Sequence, residues 1–487
     1  MGRIAQETIS GAKWGILQRC TMQPIQFVYG IILARLITPD EMGILGLTGV
    51  FFAVAEQLRS CGFGAALIRK QDRTQLDCST VFWFNVVVSL VLSTFLFLAA
   101  PWFAEFFHQP PLVNLTRASA VLMFLNSTAS VHWTLYSARR DFKTPAIVSM
   151  ATTLVAMPVC IWTAYLGWSY WAVMMQGVVS GLLSLAVIWI VSPWKPSFAF
   201  SWASFREFFG YGSRLALTGI ITTLYDESRT FVLGKFYSAG QLALYTRARH
   251  LCQMPISLVQ GTLGNVTFPI LATIQHDTVR LDTVYRKYIR LTLLPILWLM
   301  ITLAANSHSI IQALYGETWA ACSPYAKMLC LGIMFSPLTG INCSYISVRG
   351  RSDILLRREI IVRCVGFTLM ILGALHSALG VCAAAALAGM MSAGFSVYYT
   401  SRISDLKIRQ QLADFIPLVL LAGISNIPSC LLDWLRPLHP ILCASIGVAV
   451  SFVAYFGFLL CRKDATLFLL WQYIRNSKVA KRLLRRQ

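Results

Sequence analysis

Residues 33–45, LARLITPDEMGIL, align without a gap on residues 233–245, LGKFYSAGQLALY, at an offset of 200 positions. Leu33 matches Leu233, Arg35 matches Lys235, Thr38 matches Ser238 and Ile44 matches Leu244. The same offset pairs Leu58 with Leu258 and Gly64 with Gly264. One residue of slip sets Gly11-Ala12-Lys13 on Gly212-Ser213-Arg214. Self-similarity at a fixed spacing marks a duplicated structural unit, and hydropathy says what that unit is. A helix needs about 20 apolar residues to cross the hydrocarbon core of a bilayer. By that measure the chain offers fourteen spans. The first six lie at 14–37, 42–68, 80–107, 112–137, 145–166 and 168–191, and the next six at 207–234, 241–271, 287–305, 324–348, 355–376 and 379–400. The last pair lies at 414–434 and 439–461.

The repeat offset therefore equals six spans. Six is even, so both units enter the membrane from the same side and form a parallel repeat about an axis along the membrane normal. The expected architecture is an all-α polytopic membrane protein with 14 transmembrane helices. Residues 1–200 form one six-helix lobe, 201–405 a second, 406–461 an appended helix pair and 462–487 a basic tail. Two parallel bundles suit alternating access by rocking one half against the other, which points to a transporter.

Composition agrees. Of the 487 residues 56% are hydrophobic and only 13% charged, whereas a soluble domain carries about one quarter charged residues. The net charge of +21 does not gather on a polar domain, as nucleic-acid binding would require. It sits in short loops between apolar runs. With the N-terminus in the cytoplasm, the inner segments collect Arg69/Lys70/Arg73, Arg139/Arg140/Lys143, Arg286/Lys287/Arg290 and Arg349/Arg351/Arg357/Arg358. That bias follows the positive-inside rule and places both termini in the cytoplasm. The end of the tail, KVAKRLLRRQ, reads either as a further dose of inside charge or as an interfacial helix on anionic lipid.

Catalytic signatures are missing. There is no P-loop, no G-x-S-x-G elbow, no H-E-x-x-H and no D-x-D pair, so neither ATP hydrolysis nor metal chemistry is expected. The 13 cysteines are scattered, odd in number and without C-x-x-C, which supports neither a disulfide framework nor a zinc site. Gly62-Phe63-Gly64 reads as helix packing, and His132 and His250 as helix-interface residues. No secretory leader is expected before the first span. No cofactor, metal or nucleic acid is expected, and the chain is not read as an enzyme.

Ionisable groups inside a membrane are costly and each needs a reason. Within the spans they are Arg19, Glu56, Arg59, Arg214, Asp226, Glu227 and Arg229. Glu56 and Arg59 are i, i+3 neighbours that can pair, as can Asp226 and Arg229. These pairs, with Glu227, are candidates for helix registration or ion coupling. Arg19, Arg59 and Arg214 lie in the cytoplasmic halves of spans 1, 2 and 7, and Glu56 can neutralise at most one. Snorkelling to the inner interface is one reading. The other is a cationic cavity that receives a phosphate-bearing headgroup, because a guanidinium fork donates two parallel hydrogen bonds and keeps its charge. Trp14, Tyr29, Phe52, Tyr211 and Tyr225 share these helices and could stack on sugar rings or face lipid and core.

Several phrases carry a family likeness: SGAKWGILQR, ILARLITPDEMGILGL, LRSCGFGAALIRK, FVLGKFYSAGQLALYTRARHLCQMP, VTFPILATIQHD and LYGETWAACSPYAKMLCLG. Over essentially its whole length the chain resembles the polysaccharide transport branch of the multidrug/oligosaccharidyl-lipid/polysaccharide exporter superfamily, the Wzx/WzxC-type flippases. The resemblance implies fourteen helices in two lobes around a central cationic cavity. It implies translocation of an undecaprenyl-diphosphate-linked oligosaccharide across the bacterial cytoplasmic (inner) membrane for O-antigen, capsule or exopolysaccharide synthesis. Arg59, Arg19 and Arg214 would hold the diphosphate, with an ion gradient or glycan removal as the energy source. Membrane lipids and a polysaccharide polymerase complex are the implied partners. Two relatives of the same superfamily stand as rivals: an ion-coupled multidrug exporter using Glu56, Asp226 and Glu227, and a lipid II flippase. A scaffold for glycan assembly would need no arginines in the membrane.

Overall fold

The structure is a computed structural model that describes residues 2–60, 62–274, 277–404, 406–435, 439–464 and 467. The side chains of residues 2–13, 16, 214, 258–270 and 272–273 lie outside that description, as does nearly all of the basic tail. The chain is 88% helical, with no strand among the described residues. It divides into two compact units, Met1–Ala243 and Leu244–Gln487.

The first unit holds α1 (Gly2–Leu36), α2 (Pro39–Ser60), α3 (Phe63–Arg69), α4 (Gln75–Phe107), α5 (Leu112–Ser127), α6 (Ser130–Ala138), α7 (Lys143–Tyr165), α8 (Tyr170–Val191) and α9 (Trp202–Phe236). The division falls just inside α10 (Ala239–Thr273). The second unit continues with α11 (Thr278–Ala305), α12 (Ser307–Tyr315), α13 (Ser323–Ile333), α14 (Ser336–Val348), α15 (Ser352–His376) and α16 (Ala378–Ile403). It ends with α17 (Ile408–Ser425), α18 (Ile427–Leu435) and α19 (Pro440–Cys461).

Each of the fourteen intervals expected from hydropathy is helical, yet ten among the described residues are long and apolar enough to cross a membrane. The expected first, seventh and eighth spans are the 35-residue helices α1, α9 and α10. The fourth is split into α5 and α6. Three further expected spans are also broken. The second divides at Gly62, whose φ of 67° is left-handed, the tenth at Met334 and Phe335 between α13 and α14, and the thirteenth at Asn426 between α17 and α18.

The 200-residue offset reappears in the backbone. Two residues, Ile37 and Thr38, link α1 to α2, and Tyr237 and Ser238 link α9 to α10. Ile37 N donates to Leu33 O at 2.9 Å and Tyr237 N to Leu233 O at 3.0 Å, while Met42 N and Leu242 N donate to Thr38 O and Ser238 O at 3.1 Å each. Capping explains why the chain turns there. Glu41 Oε2 accepts from Thr38 N at 2.9 Å, and Ser238 Oγ accepts from Gln241 N at 3.2 Å, the two halves of a capping box. The turns also touch: a Cβ on Gly43 would stand 1.8 Å from Ala239 O.

Glycine likewise sets the bend after α2. At Gly62 an added Cβ would lie 2.5 Å from Gly212 O on α9, so backbone meets backbone where only glycine fits. Beyond the bend, Lys70 bridges Asp77 of α4 at 3.2 Å and Glu207 of α9 at 2.9 Å. Lying between spans, Lys70 is held above the ordinary lysine range, chiefly by its hydrogen bond to Glu207. Phe63, Leu67, Phe82, Leu135 and Phe208 close the core around it.

In the second unit small residues bring helices together. A Cβ on Gly373 of α15 would meet Gly380 O of α16 at 2.4 Å, and one on Gly332 of α13 would meet Ala386 of α16. Polar side chains then tie α17–α19 to α11–α13. Arg286 donates from Nε and Nη2 to the two carboxylate oxygens of Asp414 at 2.6 and 2.9 Å. Tyr455 donates to Leu294 O at 3.0 Å, and Asp433 accepts from Ser309 N at 2.7 Å. Arg286 and Arg290, read from sequence as loop charge, are thus structural, the second lying 4.0 Å from the same Asp414.

Candidate functional site

Arg59 occupies the last turn of α2, just before the glycine bend, where a cation also meets the negative end of the helix. Its side chain is 12% exposed and lines a cavity of about 550 Å³ inside the first unit. Besides α2, five helices supply the walls: α1 with Gly15 and Gln18, α5 and α6 at their break with Asn126, Ser130 and Trp133, α7 with Ser149, Thr152 and Thr153, and α8 with Ser180, Gly181 and Ser184. Phe142 and Pro145 sit at its edge.

The local sequence explains this wall. On α7, positions 145, 146, 149, 152 and 153 recur at helical spacing and therefore share one face, and on α8 positions 180, 181, 184 and 185 do the same. Gly181 lets α8 approach the break: a Cβ there would come within 2.9 Å of Leu122 and 3.1 Å of Asn126 Oδ1. On the α1 side Gly15 has nothing within 4 Å of its Cβ position, so the wall is open there.

Glu56, half-exposed one turn before Arg59, takes its guanidinium. Arg59 Nε donates to Glu56 Oε2 at 2.8 Å and Nη2 donates to Oε1. Among the described residues Arg59 is the one charged group on the cavity wall, and no carboxylate lines it. The site can therefore take a molecule that combines anionic charge with many hydroxyls. No group of His, Cys, Asp and Glu suited to a metal ion occurs among the described residues.

The other candidates lie outside this wall. Arg19 is exposed on α1, one residue past Gln18. Arg214 lies on α9 with its side chain outside the described residues. Asp226, Glu227 and Arg229 are half-buried on α9, and no ion pair joins Asp226 to Arg229 among the described residues. Arg229 instead lies over the ring of Tyr225 at 5.3 Å and donates to its hydroxyl at 3.4 Å. The aromatics are engaged as well: Arg69 covers Tyr211 at 4.3 Å, Lys143 stands 5.7 Å from Trp14, Tyr29 donates to Gln176 Oε1 at 2.7 Å, and Phe52 packs in the core. Sequence reading missed the polar wall. Its signal was present as hydroxyls on one face of each of two helices, Ser149/Thr152/Thr153 and Ser180/Ser184.

Comparison with known proteins brings a family to this geometry. The family model described as "Polysaccharide biosynthesis protein" matches residues 32–324, which include Arg59 and the α5–α8 walls. The teichuronic acid biosynthesis protein TuaB of Bacillus subtilis is 25% identical over 359 residues, 73% of this chain and 74% of that one. The lipopolysaccharide biosynthesis protein WzxC of Escherichia coli is 23% identical over 358 residues, 72% of each chain. The succinoglycan biosynthesis transport protein ExoT of Rhizobium meliloti is 24% identical over 318 residues, 65% of this chain and 64% of that one. Among solved structures, the lipid II flippase MurJ in an inward closed conformation superposes with a TM-score of 0.68 at 14% identity, covering 95% of this chain and all of that one. An inward-facing multidrug resistance MATE family transporter of the MOP superfamily follows at 0.60 and 14% identity, covering 82% of this chain and 99% of that one. At such identities the solved structures speak for the fold alone.

Proposed function

Because the chain belongs to the polysaccharide biosynthesis protein family, a family of multi-pass membrane transporters and not of enzymes, we propose that it carries a lipid-linked oligosaccharide across the bacterial inner membrane. The substrate is an undecaprenyl-diphosphate-linked glycan destined for a surface polysaccharide. The observation that carries this reading is Arg59, a guanidinium set into the wall of a cavity whose other polar lining, among the described residues, is hydroxyl, amide and indole. A diphosphate that displaces Glu56 meets the planar fork with two parallel hydrogen bonds, and the sugar meets the hydroxyls.

The chain works by alternating access, the cavity opening to one side of the membrane at a time while the polyprenyl tail stays in lipid. Both termini lie in the cytoplasm, which fits the inside bias of Lys and Arg. Arg19 and Arg214, near Gln18 and on α9, are further contacts for the diphosphate, and a polysaccharide polymerase complex receives the product. A cationic-drug exporter fits less well, since no carboxylate lines the cavity among the described residues and Glu56 is spent on Arg59.

Lipid extraction and mass spectrometry on a strain lacking this protein test the reading. A polyprenyl-diphosphate oligosaccharide should accumulate, and the wild-type chain should clear it. Its mass separates a surface-polysaccharide unit from lipid II. Sensitivity to cationic drugs with no lipid-linked sugar would overturn the proposal.

A further inference from the structure

The second unit holds two thiols that the proposed transport does not use. Cys252 of α10 and Cys330 of α13 are 0% and 1% exposed, and their Sγ atoms stand 3.2 Å apart. The two helices meet at more than this one point. Cys322 Sγ donates to Leu244 O at 3.2 Å, and Cys252 Sγ lies 3.7 Å from Ala326 O. Both sulfur contacts at 3.2 Å join residues 78 positions apart. The stretch from Leu244 to Cys252 therefore matches the stretch from Cys322 to Cys330, about 12 Å along each axis and in the same direction. α10 and α13 run parallel and in register there, as two spans parted by a single return crossing must.

Small side chains set that register. Cys322, Ala326 and Cys330 recur every fourth residue and share one face of α13, and Ala248 and Cys252 do the same on α10. Ala248 and Ala326 are fully buried, and residues of that size let two backbones approach closely. The thiols are thus held together by the packing of their helices. A disulfide is about 2.0 Å long, so closing the pair from 3.2 Å takes side-chain rotation and a small shift, with no rearrangement of the helices. Metal binding is the other use of paired thiols, and no set of three or more His, Cys, Asp and Glu suited to a metal forms around them among the described residues.

We infer that Cys252 and Cys330 are an oxidation site that closes to a disulfide and staples α10 to α13. One cysteine thiolate attacks a sulfur of a disulfide donor, whose S–S bond breaks and whose first half leaves as thiol. The other thiolate then attacks the mixed disulfide, so that the Cys252–Cys330 bond forms and the second half leaves as thiol. The protein thiols give up two electrons and two protons, and the donor takes both. Donors of this class belong to oxidising compartments outside the cytoplasm. With the bond closed, residues 244–252 of α10 move as one body with α13. This chemistry needs no substrate and is independent of the glycolipid reading.

The test treats the purified full chain in nanodiscs with dithiodipyridine, a small uncharged disulfide. Treatment continues until Cys160, equally buried in the first unit, carries the thiopyridyl label, so that poor access is not mistaken for a negative result. Digestion without reductant followed by mass spectrometry should find the peptides of Cys252 and Cys330 joined, two hydrogens lighter than their sum. Cys252→Ser and Cys330→Ser should each lose the joined product and leave the remaining thiol labelled. Treatment should also raise the thermal transition of wild type by about 5 °C relative to its effect on Cys252→Ser. Cys252 and Cys330 labelled separately, or left as free thiols, would overturn the oxidation site. A joined pair with an unshifted transition would overturn the staple and keep the site.

Discussion

Glu56 and Arg59 sit one turn apart on α2, and the carboxylate occupies both the Nε and Nη2 donors of the guanidinium, the first at 2.8 Å. The fork that could clasp a phosphate is thus filled by the protein's own anion. The partners differ in exposure, with the Arg59 side chain 12% and the Glu56 side chain 54% exposed, so the carboxylate is the member free to leave.

Substituting Glu56→Gln removes the competing charge and leaves the shape. Because Glu56 is half-exposed, its hold on Arg59 is that of a partly screened pair, about 0.2–1 kcal/mol. The affinity for undecaprenyl diphosphate should rise about two- to five-fold, measured by binding to the purified protein. A fall in affinity would mean that Glu56 positions Arg59 and does not compete for it.

Arg59 itself separates charge from geometry. Arg59→Ala deletes both, and for a largely buried charge-assisted contact of about 1.5–3 kcal/mol the loss in export should be on the order of ten- to a hundred-fold. Arg59→Lys keeps the charge but not the planar fork and should fall between alanine and wild type. The readout is the amount of lipid-linked oligosaccharide that accumulates in cells complemented with each variant. Equal performance of lysine and arginine would show that a point charge suffices.

Two glycines on neighbouring stretches of chain should answer differently to alanine. Gly62 has a φ of 67°, and a Cβ there would lie 2.5 Å from Gly212 O. Gly62→Ala should therefore cost about 1–3 kcal/mol or more and lower the thermal transition of the detergent-solubilised protein. Gly49, inside α2, has nothing within 4 Å of its Cβ position. Gly49→Ala should be neutral or stabilising by up to about 1 kcal/mol. A destabilisation at Gly49 equal to that at Gly62 would refute the packing described for this bend.

What could be read from the sequence was what repeats or stays local. The offset of 200 was visible in Leu33/Leu233 and Thr38/Ser238, and the same hydrogen bonds recur at those positions. Glu56–Arg59 follows from i, i+3 spacing. The cavity wall was hidden because each serine or threonine is unremarkable alone, and the set exists only once α5–α8 are packed together. The split between α5 and α6 was hidden too, since LNSTASVHW contains neither proline nor glycine. Conversely, Pro24, Pro101, Pro158, Pro295 and Pro417 lie inside continuous helices. Arg286 escaped for another reason: its partner Asp414 is 128 positions away, a separation no local pattern reports.

That last pair gives a test of how α17 is held to α11. Asp414 is 6% exposed and Arg286 39%, so the carboxylate is the partner that cannot be left to water. Arg286→Met strands a buried charge, with Arg290 at 4.0 Å as partial relief. Breaking a fully buried pair costs about 3–5 kcal/mol, and the exposure of Arg286 brings the expectation to about 1–3 kcal/mol. Replacing both, Arg286→Met/Asp414→Leu, removes the charge along with its partner and should recover a large part of the loss. Thermal unfolding of the single and double variants, set out as a double-mutant cycle, measures the coupling. Strictly additive losses would show that the two side chains are neighbours without being a clamp, and that Tyr455, Thr302 and Ser451 hold the last helices in place.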